Sequence, residues 1–137
     1  MNAAPAAISI GAGLLLCAGT AGACGEALRG ATRTIEGKRY VVVFKTVPEP
    51  IAVGAHFSVD FAVCPRAKAE APRSVRVDAN MPLHRHGMNY RPVVAAQPSG
   101  AYRANGLMFH MPGRWDLTFD VVATSGTERL TGTIELE

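Results

Sequence analysis

Histidine and methionine offer imidazole nitrogen and thioether sulfur to soft metal ions. In this chain they are concentrated in two short stretches. MPLHRHGMNY, residues 81–90, holds two of the four histidines and two of the five methionines. GLMFHMPG, residues 106–113, holds one more histidine and two more methionines. Alternate residues of an extended backbone share a face, so His84, His86 and Met88 are expected to point the same way. With Leu107 and Phe109 facing a core, Met108 and His110 face outward. Imidazole with thioether suits copper, and the thioether favours the cuprous ion. Zinc is better served by thiolates and carboxylates, and no carboxylate lies between Asp78 and Asp116. The candidate ligands are therefore His84, His86, Met88 and His110, with Met108 and Met111 as axial or capping groups.

A plainer reading of the same residues stands beside this one. Met81 continues the inward phase of Val75, Val77 and Ala79, which makes it a core residue. Met111 can plug the end of a sandwich, and Gly87 and Gly113 can supply turn conformations. His56 lies apart, beside the strand that begins at Phe57, and reads as structural or surface. Arg85, Arg91, Arg103 and Arg114 flank the two stretches. They can face an anionic ligand or pair with carboxylates such as Asp116 and Asp120.

The elements that must carry these residues are strands. From residue 38 onward hydrophobic side chains recur with period two. Tyr40, Val42 and Phe44 share a face, as do Phe57, Val59, Phe61 and Val63. Trp115, Leu117, Phe119 and Val121 alternate with Asp116, Thr118 and Asp120, and Leu130, Ile134 and Leu136 with Thr131, Thr133 and Glu135. The stretches 75–80, 91–97 and 101–109 bring the number to about seven strands. Turn signals separate them, among them Pro48-Glu49-Pro50, Pro98-Ser99-Gly100, Pro112-Gly113 and Ser125-Gly126. No stretch has a helical period. Short strands with one apolar face each must pack as two sheets, so the fold class is all-β, an immunoglobulin-like β-sandwich of antiparallel strands.

The chain of 137 residues is long enough for one domain. Its first 23 residues carry no charged side chain and end in Ala21-Gly22-Ala23, a small-x-small site, which is the layout of a secretory signal peptide cleaved before Cys24. An uncleaved membrane anchor or a lipid on Cys24 are the other readings. Residues 24–37 are polar and glycine-bearing and read as a flexible arm; the domain proper spans 38–137. Cleavage removes Cys17 and leaves Cys24 and Cys64, an even pair in an oxidising compartment. A disulfide between them closes a loop worth roughly 3–4 kcal/mol, a thiolate metal site being the competing use. Net charge is +3, with no Lys/Arg run, so nucleic acid is not an expected partner.

VDANMPLHRHGMNYRPVV (77–94) followed by GAYRANGLMFHMPGRWDLTFDV (100–121) resembles the YtkA-like domain, a small exported β-sandwich related to FixH-like proteins. The resemblance covers about residues 38–136. It implies an immunoglobulin-like fold, an exported, periplasmic location, and ties to copper handling or to assembly of a respiratory enzyme in the envelope. It implies no reaction. The chain is also similar in His/Met usage to periplasmic copper chaperones, but it lacks an upstream methionine at their spacing.

Two functions follow as expectations. One is a copper-binding accessory protein that holds Cu(I) on the His/Met loops and passes it by ligand exchange to a partner. The other is an interaction or assembly module of the envelope with no metal, using methionine as an adaptable contact. Catalysis is not expected: the chain offers no defensible Ser–His–Asp order, no paired carboxylates and no phosphate loop.

Overall fold

The computed structural model describes residues 23–137. The signal peptide expected over 1–23 lies, Ala23 apart, outside the described residues. Nine strands follow one another: β1 (Arg33–Glu36), β2 (Tyr40–Val47), β3 (His56–Pro65), β4 (Ser74–Met81), β5 (His86–Gly87), β6 (Val93–Ala96), β7 (Tyr102–Met108), β8 (Gly113–Ala123) and β9 (Gly126–Leu136). They form two antiparallel sheets, β1-β2-β3-β7-β6 and β5-β4-β8-β9. The all-β sandwich read from the periodicity is the architecture found. Among the described residues no helix is long and apolar enough to cross a membrane.

The alternation explains the packing. In β4 every second residue, Val75, Val77, Ala79 and Met81, is buried while the residues between them are exposed. In β8 Trp115, Leu117, Phe119 and Val121 are all fully buried. Phe119 sits between Phe44 and Phe61 of the facing sheet, with ring centres 5.5 and 5.1 Å away. Aromatic pairs at such separations add to the burial energy of the rings themselves. The hairpin β8–β9 keeps its register from Gly113↔Leu136 to Ala123↔Gly126, which fixes Trp115 at one end of the sandwich and Ala123 at the other.

One end is stapled. Cys24 and Cys64 form a disulfide with Cα atoms 5.8 Å apart. Nearby, Lys38 and Arg39 donate backbone N–H bonds to the two carboxylate oxygens of Glu128 at 2.6 and 2.9 Å. The Tyr40 hydroxyl donates to the Glu70 carbonyl at 2.9 Å.

Two strands go beyond the seven expected. The stretch expected as an arm contributes β1, which pairs with β2 from Arg33↔Phe44 to Glu36↔Val41. Its one apolar residue, Ile35, packs over β9, where a Cβ on Gly132 would lie 2.9 Å from Ile35 Cδ1. A single apolar position gives no alternation to read. β5 is two residues long and is held by pairing with Asn80 and Met81.

Candidate functional site

The first soft segment is a tight hairpin between β4 and β5. His84 N–H donates to the Met81 carbonyl at 3.2 Å, closing a turn with Pro82 in its second position, where the fixed φ of proline fits. Arg85 takes the left-handed conformation, φ 54°. Gly87, expected to relieve the backbone here, lies in β5 instead. Its hydrogens face the Ala79 carbonyl oxygen, which a Cβ would approach to 3.3 Å. Gly113 does take the expected unusual angle, φ 113°.

Because His86 pairs with Met81 across the hairpin and Met81 is buried, the His86 ring turns toward the end of the core. The second segment brings His110 to the same place. His86 and His110 ring centres are 5.1 Å apart, and those of His84 and His86 5.8 Å. The rings form a row with His86 in the middle.

Trp115 is the floor under the inner two. Its indole meets the His110 and His86 rings at 5.4 and 6.0 Å, both steeply inclined to it, and stacks on Phe109 at 4.4 Å. Its Nε1–H donates to the Met111 carbonyl at 3.0 Å. Trp115 reads from its strand phase as a core residue. The short spacing in HMPGRW is the signal that the same ring also lies under a histidine.

Polar atoms at this end are incompletely matched. His86 Nδ1 lies 3.2 Å from the Gly87 carbonyl oxygen; with Nδ1–H donating there, Nε2 keeps its lone pair. His110 Nδ1 is buried and meets no hydrogen-bond partner among the described residues. An unmet buried polar atom costs about 1–3 kcal/mol.

The methionines are spread more widely than the histidines. Met81 is 1% exposed and belongs to the core, as its phase required. Met111 packs partly buried against the same core. Met108 is opposite His56 in the β3–β7 register, between the buried Leu107 and Phe109, and so lies on the outer side of its sheet. His56 itself meets Tyr90, ring centres 5.0 Å apart, away from the row. Met88 donates its N–H to the Ala79 carbonyl at 3.1 Å and lines a groove beside β4 with Tyr90, Arg91 and Val94, a groove that none of the histidines lines.

Two of the flanking arginines are bound to carboxylates. Arg103 holds Asp60 through two bonds, 2.6 and 2.9 Å; this hydrogen bonding, then the charge of Asp60, raises the Arg103 pKa above its ordinary value. Arg114 reaches Asp116 at 3.4 Å. No ion pair among the described residues involves Arg85 or Arg91. Nor do any three or more His, Cys, Asp or Glu among them form a ready metal-holding group. The row is two adjacent pairs sharing His86 and not a three-sided cage.

The molecule is thus a two-sheet β-sandwich with a row of imidazoles over an aromatic floor at one end. Its fold is similar to that in the crystal structure of a DUF4426 family protein from Pseudomonas aeruginosa PAO1, with a TM-score of 0.54, 10% sequence identity, and coverage of 77% of this chain and 94% of that one. At that identity the likeness is one of fold. No family model matches the chain, and no curated protein matches it.

Proposed function

We propose that this chain is an exported, periplasmic accessory protein of the YtkA-like kind, delivered by a cleaved signal peptide, that carries a copper ion as cargo. The observation that carries this reading is the His86–His110 pair over Trp115, with His110 Nδ1 buried and unpartnered. Two imidazoles bound to one ion at about 2 Å each have ring centres roughly 5–6 Å apart, which is the spacing of both pairs in the row. Imidazole serves several divalent ions as well as copper, but these usually take three or more protein ligands, more than the pair supplies. Here Asp116 lies among Arg114 and Thr133, and both described cysteines are joined to each other. A two-coordinate or three-coordinate Cu(I) site needs only soft neutral donors. Met81 and Met111 border the same end, Met81 Cε lying 3.2 Å from where a Gly113 Cβ would stand. The protein catalyses no reaction in this reading; it hands its ion to an envelope protein, such as one that assembles a respiratory enzyme.

A second reading, docking without a metal, draws on Leu83, which is 83% exposed at the tip of the same hairpin.

The test is copper content. Protein from copper-supplemented cells should carry about one ion per chain. His86→Ala and His110→Ala should remove it with the circular dichroism of the sandwich intact, and His56→Ala should leave it in place. Metal-free protein that still captures an envelope partner through Leu83 would replace the copper reading with the docking one.

A further inference from the structure

The three histidines are not equivalent. His84 is exposed, on a hairpin corner next to the protruding Leu83. His86 is half-buried. His110 is half-buried with a nitrogen sealed from solvent beside Trp115. His86 neighbours both of the others, at 5.8 and 5.1 Å, whereas the His84 and His110 rings form no pair. Any ion shared by two neighbouring rings must therefore be bound to His86.

Resting on the copper reading above, we propose that the row is a two-station track for Cu(I), with His86 kept as a ligand throughout, His110 the inner ligand and His84 the outer ligand through which the ion enters and leaves. The inner pair stands over Trp115, itself stacked on Phe109, an apolar wall that would disfavour a divalent charge more than a single one. To leave, the ion would exchange its bond to His110 for one to the His84 imidazole while it stays on His86, with a water molecule completing its coordination in between, since the row does not bring all three rings round one point. The bonds are dative, the imidazoles stay neutral, and no electron or proton is transferred. From the outer station the ion is open to a donor from an acceptor protein that meets the hairpin at Leu83. Without His84 the ion must be pulled directly from the inner pair, where His110 Nδ1 is sealed from solvent.

The two roles separate affinity from rate. His110→Ala should weaken Cu(I) binding, read by competition with a chromogenic chelator. His84→Ala should leave that affinity within about threefold but slow withdrawal of the ion by a bulky Cu(I) chelator in stopped flow about tenfold. His84→Met, which restores a soft donor at the corner, should recover the rate, while His84→Asn should not. His84 is exposed, so these variants should keep the wild-type Trp115 emission and fold. Equal loss of affinity in His84→Ala and His110→Ala, or unchanged withdrawal in His84→Ala, would overturn the division of roles and leave copper binding standing. Wild-type protein that binds no Cu(I) would overturn both.

Discussion

The two ends of the sandwich are closed by different chemistry. At one, a disulfide joins Cys24 to Cys64. Glu128 answers two backbone N–H groups there, Glu70 accepts from Tyr40 through its carbonyl and from Ser125 through its carboxylate, and Arg39 reaches the Ser125 hydroxyl. At the other end the lid is made of Trp115, Phe109, Met81 and two histidines, with the Trp115–Met111 hydrogen bond among the few polar contacts. One end satisfies its polar groups; the other buries His110 Nδ1 without a partner. Buried polar groups in folded proteins are almost always matched, and sites where local rules are broken tend to be sites of function. The comparison teaches that the scaffold had a workable polar closure available and does not use it where the histidines stand.

The largest effect should come from the floor of the soft end. Trp115 is 0% exposed and stacked on Phe109. Trp115→Ala should cost about 3–5 kcal/mol, measured by denaturant unfolding, and should also weaken copper binding, since His86 and His110 lose the surface that holds them. A variant as stable as the wild type would mean that this end does not depend on its aromatic packing.

Next comes the staple. Replacing Cys24 and Cys64 by Ser should cost about 3–4 kcal/mol, the closure term for a loop of this length, and should leave copper binding unchanged because the bond lies at the opposite end. Loss of copper in the Cys24→Ser/Cys64→Ser variant would show that the two ends are coupled, and the contrast between them would fail.

Much of this architecture was legible in the sequence. Trp115, Met81 and the faces of β4 and β8 followed from period two, because each strand has one buried side. The cysteine pair followed from counting. β1 was not legible: RTIE has one apolar residue, and its strand state comes from pairing with β2 and from the cover that Ile35 gives Gly132. β5 is only a pair of residues imposed by a turn. In the candidate site, the convergence of His86 and His110 followed from both lying near chain reversals at one end of the sandwich; phase set His110 outward beside Met108, whereas it lies beyond the end of β7 and its ring meets Trp115. Phase placed Met108 correctly on the outer side of β7, between the buried Leu107 and Phe109, but it did not separate Met88 from the histidines, with which it was expected to share a face. The groove beside β4 and the register opposite His56 are tertiary facts, and alternation within one strand says nothing about which neighbour a side chain meets.

The smallest effect belongs to the outer surface of the stapled half and is read through pH. Asp120 accepts from Arg129 at 2.6 and 2.8 Å, with Arg76 further off at 3.8 Å. The Arg129 hydrogen bonds, aided by the nearby positive charges and opposed by partial burial, hold the Asp120 carboxyl below the ordinary carboxylate range. A depressed folded pKa means that the unfolded chain takes up the proton first. The stabilisation is therefore fully present above the unfolded value, about 3.9, and is lost as pH falls through the lower folded value. Arg129 is 65% exposed on its side chain, so solvent screens the pair and its worth stays below about 1 kcal/mol. Asp120→Asn should accordingly lower the Tm slightly near neutral pH, and the gap from wild type should close in acid as Asp120 itself becomes neutral. Thermal scans of both proteins across the acid range check this. A gap that widens as pH falls would reverse the sign and show that the ion pair is not what holds this face of β8 to β9.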